Sequence, residues 1–176
     1  MSQPDHDPPS TPIPSELHSA YEDRIFRACT RCGESLSDFE GGFQISKAFK
    51  GGECVFEYAL CDHCHTSLME EFSQESKARL AQFQEEHVQF DRGLQACAAC
   101  GASREAAGIQ EFVLTGICEG TSLLAGMMMC GKCSEDAQEL ISDRTRNTWR
   151  RFVGENFPGP PADALPLPEP AGHTSK

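Results

Sequence analysis

The chain has 176 residues and a formal net charge of −12 at pH 7, a length that suits one domain or two small ones. No stretch of it approaches the ~20 consecutive apolar residues that a membrane-spanning helix needs. The acidic total disfavours nucleic acid as a partner, because a phosphate-binding surface usually requires an excess of Lys and Arg.

Proline marks the two ends of the chain. All eleven prolines lie outside residues 15–157, and proline disrupts helices and central strands. The sequence therefore predicts disordered Pro-rich tails at residues 1–18 and 158–176, with the folded part between them. The first residues have neither a positively charged start nor an apolar run, so we expect no secretory signal, a cytoplasmic location and reduced thiols.

Four Cys-x-x-Cys pairs organise the folded part. One pair alone could equally be a redox couple, whereas four pairs in two matching blocks indicate metal sites. Zn²⁺ prefers four thiolates at the corners of a tetrahedron, and each block supplies two pairs. We therefore predict two zinc sites, the first formed by Cys29, Cys32, Cys61 and Cys64 and the second by Cys97, Cys100, Cys130 and Cys133. With no position left for water or substrate, both ions would be structural.

An internal duplication accompanies the cysteine blocks. The segment 23–33 matches the segment 91–101 at an offset of 68 residues. After one inserted residue, Phe43 matches Phe112 and Cys61 matches Cys130 at an offset of 69. The chain is therefore predicted to consist of zinc unit 1 at residues 19–90 and zinc unit 2 at residues 91–157.

Unit 1 begins with a turn, where Gly33 follows the first cysteine pair and can adopt a positive φ. Phe43, Ile45 and Phe49 alternate with polar neighbours and predict a strand, followed by a turn at 50–53 and a returning strand at 55–60. The second pair then opens a helix. Its apolar stripe is formed by Leu68, Met69, Phe72, Leu80, Phe83 and Phe90. Since no glycine, proline or turn cluster interrupts residues 65–92, we expect one long helix that joins the units rigidly.

Unit 2 repeats this order, with strands at 112–117 and 123–129 and a turn at 119–121. Its helix carries an apolar stripe formed by Ala137, Leu140, Ile141, Trp149 and Phe152. The repeat aligns the remaining cysteines, Cys54 and Cys118, with Leu123 and Phe49, so we predict that they are packing residues and not ligands. His63 and His65 correspond to Lys132 and Ser134, which do not bind zinc, so we do not expect these histidines to be ligands.

A Cys-x-x-Cys-Gly knuckle, a β-hairpin and a Cys-x-x-Cys pair that opens a helix resemble a treble-clef zinc finger. The residues that carry the resemblance are Cys29, Cys32, Gly33, Cys61 and Cys64, then Cys97, Cys100, Gly101, Cys130 and Cys133, over about residues 21–152. In detail the pattern resembles the four-cysteine domain of the Clp unfoldase ATPase and the cysteine repeats of the bacterial protein-arginine kinase activator. The resemblance implies an α+β fold of two tandem treble-clef-like zinc units, which act as a platform for docking proteins or for self-association.

The first functional hypothesis is a non-catalytic adaptor or regulator that acts through protein–protein interaction in a bacterial or other cytosol. Neither unit has a nucleophile or base at equivalent places, so we do not expect an enzyme or a small-molecule substrate. Candidate contact surfaces are the ends of the hairpins, the three methionines at 127–129 and the Glu-rich face of the first helix. Core packing is the stronger interpretation for the methionines, and a solvated face for the glutamates.

Two other classes of function use the same residues. A rubredoxin-like electron carrier would hold iron in the eight thiolates, although only Cys32 and Cys100 are followed by the glycine that such knuckles carry. A nucleic-acid-binding zinc finger would use arginines that spread around the second helix together with its tryptophan. These are Arg144, Arg146, Arg150, Arg151 and Trp149. A redox switch in which oxidation releases zinc also stays open.

Overall fold

The computed structural model describes residues 11–37, 41–106 and 108–157, which form a mixed fold of antiparallel strands and helices. In chain order the elements are β1 (Phe43–Lys50), β2 (Glu53–Cys61), α1 (Asp62–Glu71), α2 (Gln74–His87), β3 (Glu111–Glu119), β4 (Ser122–Cys130), α3 (Gly131–Gln138) and α4 (Asp143–Asn156). Short 3-10 helices cover Ser15–Leu17 and Phe90–Arg92. Of the two predicted tails, residues 1–10 and 158–176 lie outside the described residues.

Each repeat forms the β-hairpin that its sequence predicts. β1 and β2 pair antiparallel around a turn at Gly51 and Gly52, whose φ angles of 60° and 84° suit glycine. β3 and β4 pair in the same way. A β-bulge interrupts both hairpins at repeat-equivalent places, between Ala48 and Phe49 and between Ile117 and Cys118. The duplication seen in the sequence is therefore also a duplication of local structure.

The two hairpins share one sheet of strand order β2-β1-β3-β4, in which β1 pairs antiparallel with β3. The repeat-equivalent residues Ser46 and Thr115 are partners in this central pairing. Because equivalent residues face each other at this pair, the register relates the two halves by an approximate two-fold axis. The axis passes between Ser46 and Thr115.

The helical connection differs from the prediction of one long helix to about residue 90. α1 ends at Glu71 and α2 begins at Gln74, with Phe72 and Ser73 extended between them. The Ser73 hydroxyl accepts a hydrogen bond from the Ser76 N–H at 3.1 Å, and such a serine N-cap begins a new helix without glycine or proline. The expectation that a long helix joins the units is therefore wrong, and the β1–β3 pairing joins them instead.

Four repeat-equivalent hydroxyl residues connect the broken helices of the two halves. The Ser73 N–H donates to Thr145 Oγ1 at 2.9 Å, and the Ser142 N–H donates in return to Ser76 Oγ at 2.8 Å. The hydroxyl oxygens of Ser73 and Ser142 lie 2.8 Å apart. Because Ser76 and Thr145 are fully buried, these bonds satisfy polar groups that water does not reach. They hold the N-terminus of α2 against that of α4.

Residues 11–18, predicted above to belong to the first tail, pack on the sheet. Pro12 forms a β-bridge with Ser122 at the start of β4. Ile13 is buried and Leu17 is fully buried. Proline is compatible with this position because an edge segment can leave one N–H unused. The folded part therefore begins earlier than the proline distribution predicts.

The core lies on both faces of the sheet. The rings of Trp149 and Phe152 from α4 approach Tyr58 of β2, with centroid distances of 5.9 and 6.2 Å. The three consecutive methionines at 127–129 of β4 are all buried. Core packing, the stronger interpretation of that run, is therefore confirmed.

Candidate metal centres

The eight predicted cysteine ligands form two separate clusters. Centre 1 consists of Cys29, Cys32, Cys61 and Cys64, and centre 2 of Cys97, Cys100, Cys130 and Cys133. Within each cluster all four sulfur atoms lie within 4.8 Å of one another. Cys32 and Cys100 are exposed, so each cluster has one sulfur-bearing residue at the surface. The structure thus contains two tetracysteine sites that could hold metal ions, one in each repeat.

A tight turn presents the first pair of each centre. The Gly33 N–H donates to the Cys29 carbonyl at 2.9 Å, and the Gly101 N–H donates to the Cys97 carbonyl at 2.8 Å. The φ angles of Gly33 and Gly101 are 76° and 80°, which confirms that this turn uses the conformational freedom of glycine.

Each of these turns is fixed to the edge strand of its own hairpin. The Thr30 N–H donates to the Ala59 carbonyl of β2 at 2.8 Å, and the Ala98 N–H donates to the Met128 carbonyl of β4 at the same distance. Because the turn and the strand end are tied together, the first cysteine pair is held opposite the second. The sheet therefore positions both halves of each centre.

The second pair of each centre lies where a strand passes into a helix. Cys61 ends β2 and caps α1, and Cys130 ends β4 and caps α3. Backbone donors at these junctions point at sulfur: the Cys61 N–H lies 3.4 Å from Cys29 Sγ, and the Cys130 N–H lies 3.3 Å from Cys97 Sγ. Such donors and the positive end of the helix dipole stabilise thiolates.

The surroundings create two kinds of thiol in each centre. Burial opposes ionisation of Cys29 and Cys97, but the backbone N–H donors around each sulfur outweigh burial and lower both pKa values to about 7. Burial, reinforced by neighbouring thiols, raises the pKa of Cys64 and of Cys133. A cation bound by four sulfurs would offset this cost, because metal ligation displaces the thiol protons.

The other two cysteines lie outside both clusters. Cys118 is fully buried, and burial raises its pKa to about 12, which makes it an unreactive packing thiol. Cys54 is only half-buried, and burial raises its pKa as well. Within the residues that the structure describes, His63 and His65 belong to neither cluster.

The sequence patterns do not predict a buried ion pair, and the structure contains one between the strands of the first hairpin. Lys47 Nζ lies 3.4 Å from Glu57 Oε2, with side-chain exposures of 5% and 6%. Lys47 also donates to the His18 carbonyl. Glu57 accepts from the Ser19 hydroxyl at 2.8 Å and from the Ala20 N–H at 2.9 Å. The position of Lys47 could have indicated this ion pair in the sequence. Lys47 stands in β1 where the alternation of the strand predicts an inward-facing apolar residue.

Three of the five residues named for nucleic-acid contact are buried or contact other residues of the fold. Trp149 is buried, so its ring is not exposed for stacking on a base. Arg151 forms an ion pair with Glu71 at 3.4 Å, and Arg146 donates to the Gln138 carbonyl at 3.3 Å. The structure therefore does not expose the tryptophan that this alternative would use, and the nucleic-acid alternative otherwise stays a prediction.

None of the described helices is long and apolar enough to cross a membrane. Comparison of the chain with protein-family models, with curated proteins and with solved structures finds no match. The resemblance to the Clp four-cysteine domain and to the kinase activator therefore stays a prediction. The two tetracysteine clusters are the chemical features on which a functional proposal can be built.

Proposed function

We propose that each tetracysteine cluster holds one structural Zn²⁺ and that the two repeats are treble-clef-like units. The supporting observation is the spacing of the sulfurs. Cys32 Sγ lies 3.9 Å from Cys61 Sγ, and Cys100 Sγ lies 3.8 Å from Cys130 Sγ. A tetrahedral ion with Zn–S bonds of about 2.3 Å places its sulfurs about 3.8 Å apart. Four protein ligands complete that coordination, so no position is left for a substrate.

The arrangement of the pairs favours zinc over a rubredoxin-like iron site. In each centre one pair lies on a glycine turn and the other at the start of a helix, whereas two glycine-bearing knuckles are typical of rubredoxin. The helix-capping pair begins at Cys61 in centre 1 and at Cys130 in centre 2. Because thiolate ligation requires reduced cysteines, we also propose a cytosolic location.

We propose further that the protein is a non-catalytic adaptor or regulator that binds another protein through the end of the second hairpin. Two apolar side chains are exposed there, Leu124 at 61% and Ile117 at 46%. Ile117 pairs with Ala125, the chain neighbour of Leu124, so the two belong to one end of the hairpin. Exposed apolar side chains that share one end of a hairpin are candidates for a contact surface.

The test is quantitative affinity purification from the source cells with the full chain and two variants. Leu124→Asp places a charge in the proposed contact, and Gln82→Glu changes an exposed residue of α2 away from it. We expect a protein that is enriched with the wild type and with Gln82→Glu and lost with Leu124→Asp. Partners that Leu124→Asp retains would contradict this surface. A purified protein that contains iron would contradict the zinc proposal.

A further inference from the structure

The start of β4 shows what this fold places on an edge of its sheet. The Leu123 N–H donates to the Thr11 carbonyl at 2.7 Å, and Pro12 forms an antiparallel bridge with Ser122. An extended segment therefore covers this edge by adding itself to β4 as a short antiparallel strand.

The repeat places an equivalent edge at the start of β2. At the offset of 69 residues, Glu53 corresponds to Ser122 and Cys54 corresponds to Leu123. In the part of the chain that the structure describes, no segment outside the β1–β2 hairpin forms a backbone hydrogen bond with residues 53–57. An edge of this kind is a template on which another chain can add a strand.

An apolar groove of about 550 Å³ follows this edge of β2, and its two walls come from opposite faces of the sheet. The Ala20 N–H donates to the Glu57 carboxylate at 2.9 Å, so the wall formed by Ala20 and Tyr21 lies on the face to which Glu57 points. The Phe157 ring lies 4.7 Å from the Phe56 ring. Phe56 precedes Glu57 in β2 and therefore points to the other face.

The groove is open to an incoming chain. Val55, on the edge itself, is 50% exposed, and Tyr21 is 93% exposed. Exposed apolar side chains beside such a groove are candidates for a contact surface. Because successive side chains of a strand point to opposite faces of the sheet, two neighbouring apolar residues of an added strand would each meet one wall.

Glu53 gives this edge a charge that the equivalent edge does not have. Glu53 is exposed, and Lys50, its partner across the turn, forms an ion pair with Glu111 at 3.2 Å. An added strand would place one residue opposite Glu53, as Pro12 lies opposite Ser122, and opposite charges in such a cross-strand pair are stabilising. The segments beside the groove add the acidic residues Glu22, Asp23 and Glu155 and the basic residues Arg24 and Arg27. The edge therefore favours a basic residue opposite Glu53.

We propose that the edge of β2 binds an extended segment of another protein with two neighbouring apolar residues, then any residue, then Lys or Arg. The segment runs antiparallel to β2, and its third residue accepts a hydrogen bond from the Cys54 N–H. The two apolar residues lie beside Phe56 and Val55 and enter the groove, one against each wall. The basic residue lies opposite Glu53. This arrangement transfers to β2 the geometry that the N-terminal segment has on β4.

Titration of the full chain with a synthetic peptide tests this surface, followed by the NMR amide signals of residues 53–57. The probe is the acetylated peptide Ser-Val-Leu-Thr-Lys-Ser, and its control carries Glu in place of Lys. We expect the Lys peptide to slow hydrogen exchange at the Cys54 amide. It should bind about threefold more tightly than the Glu peptide, as is typical of cross-strand charge pairs.

Matched variants separate the charge from the groove. Glu53→Lys should reverse the preference between the two peptides, whereas Glu85→Lys, an equal change in net charge at an exposed position of α2, should preserve it. Val55→Asp should weaken binding of the Lys peptide at least about tenfold, because it places a charge in the apolar groove. Leu124→Asp, the repeat-equivalent change, should bind the peptide as the wild type does, so this surface can fail or hold independently of the contact proposed at the second hairpin.

The proposal would be overturned if the Lys peptide left the Cys54 amide unchanged, if both peptides bound the wild type equally, or if Val55→Asp retained full binding. Slow exchange at Cys54 before any peptide is added would also overturn it, because the edge would then already be covered. Protection that grows with protein concentration would assign the edge to a second copy of this chain, and protection independent of concentration would assign it to the chain itself.

Discussion

The two halves of the sheet occupy equivalent positions with opposite chemistry. In β1 and β2 the cross-strand partners Lys47 and Glu57 form a buried ion pair. In β3 and β4 the repeat-equivalent partners are Gly116 and Gly126. The same pair of positions is therefore filled by two charged side chains in one half and by none in the other.

In the half formed by β3 and β4, here called the glycine half, leucine side chains fill the space beside Gly116 and Gly126. A Cβ atom on Gly116 would lie 2.6 Å from Leu17 Cδ1, and one on Gly126 would lie 3.1 Å from Leu94 Cδ2. Leu17 is fully buried. Residues from elsewhere in the chain thus pack directly against the backbone of β3 and β4.

The N-terminal segment contacts both halves at the positions where their side chains differ. It contacts the glycine half through Leu17, and two residues later it meets the ion pair through Ser19 and Ala20. The duplicated centres keep the turns, caps and sulfurs that metal binding requires. The strands between them differ at the two positions that contact this segment.

We expect metal removal to unfold both halves of the sheet, and so to remove the difference between them. Structural Zn²⁺ sites contribute on the order of 10 kcal/mol to folding. Because β1 and β3 belong to one sheet, we expect a strong chelator to unfold the two halves in a single transition, monitored by circular dichroism and by amide exchange in β2 and β4. Cys118→Ala, which leaves both clusters intact, should respond to the chelator as the wild type does. Two separate transitions would contradict the shared sheet.

Lys47→Met tests the buried ion pair between β1 and β2 by removing its positive charge. It leaves Glu57 buried without its ion-pair partner, a change that typically costs about 3–5 kcal/mol, and we expect this loss in denaturant unfolding of the metal-loaded protein. Lys50→Met is the matched control in the same strand, because the Lys50–Glu111 pair is exposed and such pairs contribute about 0–1 kcal/mol. Equal effects of the two variants would show that Lys47 is not a buried charge partner.

Gly116→Ala tests the close packing of Leu17 against β3 in the glycine half. The added methyl group would displace Leu17, and overpacking of this kind typically costs about 1–3 kcal/mol. The control is Gly154→Ala in α4, where no atom lies within 4 Å of the new Cβ, and a gain of about 0.5–1 kcal/mol is expected in a helix. Changes in the unfolding free energy of opposite sign for the two variants would support the close packing of Leu17 against Gly116. A stabilising Gly116→Ala would contradict it.

Ser73→Ala and Ser142→Ala test the contact that the halves share. Each removes an N-cap, at a typical cost of about 1 kcal/mol. Because the two hydroxyls contact each other, we expect the double variant to be non-additive by at least about 0.5 kcal/mol. Strictly additive losses would mean that α2 and α4 are capped independently. Ser35→Ala, at an exposed serine, is the reference substitution.

The cysteine spacing and the repeat were sufficient to predict the local structure around both centres. They located the knuckle glycines, the two hairpins and the helices that begin directly after Cys61 and Cys130. These features depend on residues close together in the sequence, where turn and cap chemistry is readable.

The arrangement of the two halves could not be predicted in the same way. The pairing of β1 with β3 joins strands about sixty residues apart, and nothing in either strand specifies an edge partner. The helix break at Ser73 depends on its hydrogen bonds with Ser142 and Thr145, so a search for glycine and proline misses it. A signal existed, because serine occurs at the equivalent position 142 of the repeat.

The central claim is that the chain holds two independent four-thiolate zinc centres, and metal stoichiometry tests it most directly. Native mass spectrometry with elemental analysis should find two Zn²⁺ per wild-type chain. The variants Cys61→Ser and Cys130→Ser should each retain one ion, bound by the intact cluster. One ion per wild-type chain, or the loss of both ions from either variant while the chain stays folded, would contradict the account.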